Sequence, residues 1–350
     1  MTGAITNDPF SRIMSDIKEI IKAEAERLGF CLCGFTTADP SEDFPRYIKW
    51  IREDALGTMA YLKREDTLAK RADPRLLLPD AQSICVLAVP MALFPHRSAF
   101  SIASYAHYAD YHDTILPMAE ELVNNFRSYL SDCSKEPEHH TAHLIPDTRH
   151  LTPDFSYRIC IDSSPILERS LAVRAGLGWV GKSSMLINRK YGSAFFLCEI
   201  LLSLPIEPDK PYVQDGCGSC TRCIDACPNH CIDPLTRTIR ADRCAAYLTI
   251  EHKGDFSPEQ SALVGTHLFG CDECLLVCPW NRRAPSASLL PLTEALPEES
   301  DENLTAEEFK IKFHNSPVLR TKIKGLQRNI AAVRKNLGKG EGNNPERKIV

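Results

Sequence analysis

Two short runs of cysteine constrain this chain more than any other feature of its sequence. The first run has four cysteines, with gaps of two, two and three residues and a proline directly after: Cys217, Cys220, Cys223 and Cys227. The second run has three cysteines and again ends at a proline: Cys271, Cys274 and Cys278. The first spacing is typical of bacterial proteins that bind two [4Fe–4S] clusters. We therefore expect the chain to transfer electrons.

Each run is predicted to contribute ligands to both clusters, because the fourth thiolate of such a run usually reaches the other cluster. The first cluster would take these four thiols: Cys217, Cys220, Cys223 and Cys278. The second cluster would take Cys227, Cys271 and Cys274, and Cys244 between the runs is the natural fourth ligand. Zinc is the alternative, since four cysteines also hold structural zinc. Three cysteines separated by two residues each and followed by Cys-Pro, as in Cys217 to Pro228, are much less common in zinc sites.

Length and charge narrow the classes of protein that the chain can belong to. Its 350 residues suffice for two or three domains. A formal net charge of −5 does not favour a general nucleic-acid binder, although a local basic patch stays open. The first ten residues lack the pattern of a signal peptide, and no run of about 18 apolar residues occurs. We expect a cytoplasmic protein in a reducing compartment, without a membrane span.

The order of predicted elements favours an α+β fold with four segments. Helices are predicted over residues 15–28 and 115–130, and strands over 30–35, 83–89 and 194–204. The four segments are a catalytic domain (12–208), a ferredoxin-like domain with two [4Fe–4S] clusters (209–285), an acidic linker (286–305) and a basic tail (306–350). The tail carries eleven Lys or Arg against four Glu. It is either a solvated face or a contact for phosphates.

A glycine-rich stretch at residues 176–183 matches both the P-loop pattern and a dinucleotide-binding fingerprint. Either interpretation requires a strand before the glycines and a helix after them. The preceding residues, 165–175, are predicted to be helical, which makes Gly176 the glycine that ends a helix. We therefore reject nucleotide binding at this stretch.

Asp162 follows a short apolar strand and precedes a predicted helix. The local sequence favours a helix cap or an ion-pair partner. The alternative is a general acid in a partly buried site, where desolvation would keep a proton on the carboxyl group near neutral pH. Both interpretations stay open at this level.

Three further features have ordinary structural interpretations. Residues 105–112 contain three tyrosines and two histidines, which indicate core packing more often than a metal site. Residues 133–157 are polar and look like an inserted loop. The other seven cysteines are interpreted as buried and structural: Cys31, Cys33, Cys85, Cys133, Cys160, Cys198 and Cys231.

Several motifs together make the chain resemble the cobalamin-dependent epoxyqueuosine reductases, which complete queuosine synthesis on tRNA. The resemblance covers roughly residues 15–340. It rests on both cysteine runs and on these segments: 34–39, 71–74, 105–112, 161–168, 175–182, 243–251, 270–272, 278–281 and 328–330. It implies a nitroreductase-like, cobalamin-binding catalytic domain joined to a two-cluster ferredoxin-like domain, with cobalamin between them.

The resemblance also implies roles for individual residues. It assigns the cluster ligands as paired above, with Cys244 completing the second cluster, and it makes Asp162 the proton donor. It places cobalamin contacts on five residues: Arg71, Asp162, Leu186, Leu197 and Ala246. It makes Lys253 a contact for tRNA. One departure is the pair Ala245–Ala246, where the family commonly has Ile-Ser.

The implied activity is reduction of the epoxide of epoxyqueuosine to the alkene of queuosine at the wobble position of tRNA. An unidentified low-potential donor would supply the electrons, the protein would be a monomer, and the basic tail would contact tRNA phosphates. Two alternatives are kept. One is a reductive dehalogenase-like enzyme, which also combines a corrinoid with two clusters, and the other is an iron–sulfur electron carrier without chemistry of its own.

Overall fold

A computed structural model describes residues 9–95, 99–135, 154–285 and 288–338. Most of the predicted insertion and the last twelve residues of the predicted tail lie outside these ranges. In the described part of the chain, the helices α1–α11 are, in order, Pro9–Leu28, Phe44–Arg52, Glu65–Ala72, Tyr111–Lys135, Glu168–Arg174, Arg222–Asp225, Ala245–Ile250, Pro258–Val264, Glu273–Leu276, Ala306–Lys312 and Lys322–Gly338. The strands β1–β8 are Leu32–Thr37, Ser83–Pro90, Ser101–Ile102, Tyr157–Cys160, Trp179–Val180, Leu186–Ile187, Phe195–Leu202 and His267–Phe269.

The first half of the chain is built on a four-stranded antiparallel sheet with the order β1-β2-β7-β4. Strands β2 and β7 form its centre and pair along their whole length, from Ser83 opposite Leu202 to Pro90 opposite Phe195. Helices therefore combine with an antiparallel sheet, as the α+β prediction requires. Mixed helix and sheet and a helical C-terminal segment confirm the predicted fold class.

Both faces of the sheet are covered, which explains why β2 is apolar along nearly its whole length. Successive side chains of a strand point to opposite faces. Cys85, Leu87 and Val89 lie in a core that contains buried residues of α1 and α4. Ile84, Val86 and Ala88 lie in a second core, which contains buried residues of α5. Ile166 of this second core also lines the cavity described below.

The predicted basic tail is an integral part of a third core. Phe309 of α10 and Leu326, Ile330 and Val333 of α11 are buried together with Phe269 of β8. The core also contains residues of α7 and α8. The positive charges of the tail are thus carried on the outside of helices whose inner faces are apolar.

The glycine-rich stretch does not form a phosphate-binding loop. Gly176 has φ of 78° and follows α5, as expected for the glycine that ends a helix. The chain then forms a small hairpin of β5 and β6 rather than a helix. Lys182 donates hydrogen bonds to the carbonyl oxygens of Gly218 and Cys220, at 2.8 and 2.9 Å. The stretch therefore has a helix before the glycines, as predicted, and a hairpin after them.

Some predicted boundaries differ from the structure. The first strand begins at Leu32 rather than residue 30, because Phe30 still packs into the first core directly after the end of α1. Helix α5 begins at Glu168 rather than beside Pro165, because a left-handed Asp162 and the turns that follow it occupy the intervening residues. In the described part of the chain, no helix has the length and apolar character needed to cross a membrane.

Asn329→Ala is expected to destabilise the third core. The fully buried Asn329 amide donates to the carbonyl oxygens of Thr249 and Leu268, at 2.7 and 3.0 Å. Its loss removes this donor from the Leu268 carbonyl oxygen and leaves the Thr249 carbonyl oxygen with the Thr321 hydroxyl, which costs about 1–3 kcal/mol. Anaerobic thermal unfolding should give a lower midpoint for this variant. Lys324→Ala, an exposed change on the same helix, is the control and should stay within about 0.5 kcal/mol of the unaltered protein. Equal midpoints for both variants would contradict the role of Asn329.

Candidate functional site

A cavity of about 430 Å³ lies where the sheet-bearing half of the chain meets the cysteine-bearing segment. Tyr47, Arg71 and Glu168 line one side of it, and Cys244 and Tyr247 line the other. Its volume is in the range of cavities that bind small molecules and cofactors. A predicted cobalamin contact, Arg71, and a predicted cluster ligand, Cys244, therefore share one cavity.

Arg71 presents an unused hydrogen-bond donor at the cavity wall. Its Nη1 atom is buried and has no hydrogen-bond partner among the described residues. The guanidinium group lies over the ring of Tyr47, 5.4 Å from the ring centre. Buried polar atoms are nearly always paired, so an unpaired one beside a cavity suits a bound group with acceptor oxygens. Arg71 therefore fits the predicted binding of a cofactor rich in amide or phosphate oxygens.

Asp162 lies on the loop after β4 in a left-handed conformation, with φ of 45°. Its backbone N–H donates to Glu168 Oε1 at 3.0 Å. Its side chain is 55% exposed, so the predicted partial burial is wrong: the loop turns this side chain outward. The predicted helix cap is also wrong, because Leu167 occupies the N-cap position of α5.

His112 connects Asp162 to a second carboxylate. Its Nδ1 lies 2.8 Å from Asp110 Oδ1, and its Nε2 lies 4.0 Å from Asp162 Oδ2. The hydrogen bond to Asp110 and the charges of both carboxylates raise the pKa of His112 above its usual 6.5. Tyr111 stacks on His112 with ring centres 4.3 Å apart. Burial and the nearby Asp162 raise the pKa of Tyr111, so its phenol stays neutral.

Glu168 is a second acid beside Asp162. Burial and the charge of Asp162 raise the pKa of Glu168 to about 7. A fraction of this carboxyl group therefore stays protonated at neutral pH. Because Glu168 lines the cavity and accepts a hydrogen bond from the Asp162 backbone, it connects the exposed loop to the cavity wall.

The structure brings the four predicted ligands of the first cluster to one cavity of about 220 Å³: Cys217, Cys220, Cys223 and Cys278. Residues of the β5–β6 hairpin border the same space, and Lys182 holds the loop between the first two cysteines through backbone carbonyls. Trp280 Nε1 donates to the carbonyl oxygen of Gly216 at 3.2 Å, which joins the two cysteine runs directly. The predicted crossing of the runs at this site is geometrically possible.

The predicted ligands of the second cluster also lie together. Cys244 and Cys274 pack against a small buried group that includes Cys227. Cys271 is half-buried; this partial burial raises the pKa of its thiol, and it is near enough to Cys244 for their charges to interact. In the described part of the chain, no three His, Cys, Asp or Glu side chains converge on one point as a mononuclear zinc site requires.

Cys231 is an additional thiol at the second site. Its Sγ lies 3.4 Å from that of Cys227, and Cys244 packs against the same small buried group. Its side chain is 3% exposed. The prediction of a buried structural cysteine is correct about burial but overlooks this position. Of the other cysteines assigned a structural role, Cys133 lies outside the described side chains.

Gly57 from the first half of the chain makes a close contact with Tyr247 from the second half, beside the cavity. Gly57 has φ of 60°, and a β-carbon at this position would overlap the phenol of Tyr247. The Tyr247 hydroxyl accepts from the Thr58 backbone N–H at 2.5 Å. Only glycine allows both the backbone conformation and the close approach.

The remaining predicted contacts lie at different distances from the cavity. Ala246 is half-buried and lies between two residues that line the cavity. Leu197 is half-buried and packs against the second core, whereas Leu186 is buried within that core, so only its backbone could reach a ligand. Lys253 is exposed, and its backbone N–H donates to Thr58 Oγ1 at 3.2 Å.

Sequence reasoning overlooked the roles of His112, Glu168 and Cys231 in these sites. His112 and Glu168 lie in segments on which the family resemblance rests. Their contacts with Asp162, however, depend on how α4, α5 and the loop after β4 pack together. Cys231 does carry a sequence signal, because it follows Cys227 by four residues.

Two family models and several curated proteins match the chain. A model described as "4Fe-4S double cluster binding domain" matches residues 216–281, and one described as "Epoxyqueuosine reductase QueG, DUF1730" matches residues 71–163. The epoxyqueuosine reductase of Leadbetterella byssophila is 37% identical over 329 residues, which are 92% of this chain and 99% of the relative. That of Cyclobacterium marinum is 37% identical over 326 residues, which are 90% of this chain and 96% of the relative.

Solved structures of the same kind match as well. Epoxyqueuosine reductase from Streptococcus thermophilus superimposes with a TM-score of 0.76 at 28% identity, over 94% of this chain and 87% of that one. The Bacillus subtilis enzyme, with its catalytic aspartate loop swung out of the active site, gives 0.74 at 27% identity, over 94% and 83%. An epoxyqueuosine reductase with an epoxyqueuosine-modified tRNA-Tyr stem loop gives 0.72 at 27% identity, over 94% and 83%.

Glu168→Gln is expected to change how stability depends on pH. The pKa of Glu168 rises from 4.5 to about 7 on folding, so between these values the folded protein keeps a proton that the unfolded chain has released. Stability of the unaltered protein should therefore fall as pH rises across this window. Glu168→Gln has no such proton at this position. The melting temperature of the variant minus that of the unaltered protein should therefore increase as pH rises from 4.5 to about 7. A difference that is constant with pH would contradict the raised pKa.

Proposed function

The chain belongs to the epoxyqueuosine reductase family, and we propose that it reduces the epoxide of epoxyqueuosine at the wobble position of tRNA. The reaction breaks both C–O bonds of the epoxide, forms a C=C bond and releases the oxygen as water. It therefore consumes two electrons and two protons. The observation that carries the proposal is the shared cavity, where an unpaired arginine donor, the carboxyl group of Glu168 and the wall of the second cysteine site meet.

Cobalamin is the proposed cofactor of this cavity. When bound, it would supply a cobalt ion that can be reduced and take part in cleaving the C–O bond. Arg71 Nη1 would donate to an acceptor oxygen of the cofactor, such as an amide carbonyl of the corrin side chains. The aromatic face of Tyr47 supports the guanidinium group from behind. Ala246 would contribute apolar contact only, in place of the serine hydroxyl that the family commonly has.

Two [4Fe–4S] clusters are proposed to supply electrons, with the ligands paired as predicted. Cys244, assigned to the second cluster, also lines the proposed cobalamin cavity, which makes that cluster the one next to the reaction. The four thiols assigned to the first cluster line a separate cavity that also contacts the exposed Arg222 and Arg283. Electrons from a low-potential donor would therefore enter at the first cluster and leave from the second.

Asp162 and His112 are proposed to supply the protons. The exposed carboxyl group of Asp162 can reach a substrate above the cavity and protonate the epoxide oxygen. His112, 4.0 Å away, holds a further proton because Asp110 raises its pKa, and it would reprotonate Asp162. The Bacillus subtilis relative, whose catalytic aspartate loop is swung out of the active site, supports placing this residue on a loop.

The proposed tRNA surface is smaller than the charge of the tail suggests. Arg320 forms an ion pair with Glu251. Arg334 forms ion pairs with Glu299 and Glu302. Arg328 donates hydrogen bonds to backbone carbonyl oxygens, and its guanidinium group lies over the ring of Phe256. These three arginines serve the protein's own structure. The exposed lysines that stay available for phosphates include Lys253, Lys322, Lys324 and Lys335. RNA loops present unstacked bases, so a wobble nucleoside could enter the cavity while lysines hold the flanking backbone.

Anaerobic reconstitution with iron, sulfide and cobalamin, followed by nucleoside analysis of tRNA, tests the proposal. Conversion of epoxyqueuosine to queuosine is expected. Failure of the fully loaded protein to convert it would refute the activity. Dehalogenation of a halogenated phenol instead would favour the dehalogenase-like alternative. Clusters that are reduced and reoxidised by a partner, without cobalamin binding, would favour an electron carrier.

Asp162→Asn is expected to lower the single-turnover rate by about 10²–10⁴-fold, the usual contribution of a general acid. Iron and cobalamin contents should not change, because the side chain is exposed and, in the proposal, holds no cluster. Asp80→Asn, an exposed acid in the loop before β2, is the matched control and should keep the full rate. Equal rates for both variants would remove Asp162 from the proton transfer.

The rate of the unaltered protein is expected to fall as pH rises through the raised pKa of His112. The imidazolium holds the second proton, and this form is lost above that pKa. His112→Gln should be slower at low pH, by up to about 10²-fold, and should lack the decline. Single-turnover rates against pH measure both effects. His314→Gln, a change at an exposed histidine near α10, is the control and should keep the decline in rate at high pH. If the decline is lost in His314→Gln as well, it belongs to a group other than His112.

A further inference from the structure

The second cluster site contains five cysteine thiols, whereas a [4Fe–4S] cluster binds only four. Four are the proposed ligands: Cys227, Cys244, Cys271 and Cys274. The fifth is Cys231, for which neither the cysteine runs nor the proposed function requires a role. This inference rests on the proposed second cluster.

The position of Cys231 is that of a thiol beside a ligand rather than of an ordinary core residue. Its Sγ is 3.4 Å from Cys227 Sγ, and its backbone N–H donates to the same sulfur at 3.4 Å. Cys244 packs against the same small buried group as Cys231. Cys231 thus lies directly beside one proposed ligand and in the same packed group as a second. A cysteine that only fills space needs no sulfur neighbour on either side.

We propose that Cys231 is a reserve ligand that can bind the iron of the second cluster in place of Cys227. The two sulfurs are 3.4 Å apart, and a single change of χ1 moves a cysteine sulfur by about 3 Å, so the exchange needs little backbone movement. Cys231 loses its thiol proton when it binds iron, and the released Cys227 sulfur takes up a proton. No electron is transferred, and no oxidant or reductant is needed.

A reserve ligand has a physical use at this position. Cys227 is 7% exposed, and its loss as a ligand, for example by oxidation of the sulfur, would leave one iron without a thiolate. The second cluster borders the proposed cobalamin cavity through Cys244, so losing it would interrupt the electron path at its last step. Cys231 would keep the cluster complete.

Iron counting on the reconstituted full-length protein tests this proposal without measuring activity. The unaltered protein and Cys231→Ala should each bind about eight iron atoms, which is two clusters. Cys227→Ala should also retain about eight, because Cys231 replaces the missing thiolate. The double variant Cys227→Ala/Cys231→Ala should lose the second cluster and retain about four.

Substitution of Cys271 provides the matched control. Among the described residues, Cys231 packs with Cys227 and Cys244 rather than with Cys271, so Cys271→Ala should bind about four iron atoms whether or not Cys231 is present. The four irons of the first cluster show in every variant that the protein is folded. If Cys227→Ala alone falls to about four while the unaltered protein binds about eight, the reserve ligand is refuted and the second cluster stands. If the unaltered protein binds only about four, both this inference and the proposed function fail.

A serine variant keeps the test valid if removal of the Cys227 side chain prevents folding. Cys227→Ser is nearly isosteric and offers an oxygen ligand. The electron paramagnetic resonance spectrum of its reduced second cluster should match that of the unaltered protein, because Cys231 supplies a sulfur in its place. Cys227→Ser/Cys231→Ala should give a shifted spectrum. Identical spectra for the single and double serine variants would overturn the proposal.

Discussion

The crossing of the two cysteine runs is the constraint on which the rest of the structure depends. Each proposed cluster takes ligands from both runs, so the forty or so residues between them must leave the first run and return beside it. Trp280 closes this arrangement by its hydrogen bond to Gly216, directly before the first run. The intervening chain is therefore held at both ends, and α7, which follows Cys244, can lie in only a small range of positions.

That held position of α7 determines where the cavity forms. Thr249 Oγ1 accepts from the Gly270 backbone N–H at 2.9 Å, which fixes α7 to the start of the second run. Tyr247 on the same helix reaches Thr58 across the junction of the two halves. On the outer side, Asn329 and Arg328 of α11 donate to carbonyl oxygens of α7. The tail therefore acts first as a support for the helix that carries one cavity wall, and only its exposed lysines remain for RNA.

Sequence reasoning succeeded where a residue pattern is local and failed where function depends on packing. Cysteine spacing was enough to predict that Cys217 and Cys278 lie at one cavity, and apolar runs located the central strands, because both patterns consist of residues close together in the sequence. The packing of the tail could not be read from its charge, since the apolar faces of α10 and α11 find their partners in β8 and α8. The exposure of Asp162 and its approach to His112 depend on where two separate elements meet.

The acids beneath the site show what this arrangement costs in stability. Glu199 lies in the central strand β7 with both carboxyl oxygens buried and without a hydrogen-bond partner in the described part of the chain. Burial and the nearby Glu168 raise its pKa well above the usual value, so the carboxyl group stays neutral. An apolar residue would be more stable there, because an unpaired buried polar group costs about 1–3 kcal/mol. Glu199 interacts with Glu168, which in turn interacts with Asp162, so the three acids form one electrostatically coupled series from the sheet to the loop. Within that series burial raises the pKa of the two inner acids, Glu199 and Glu168, and the series ends at the loop where the substrate is proposed to bind.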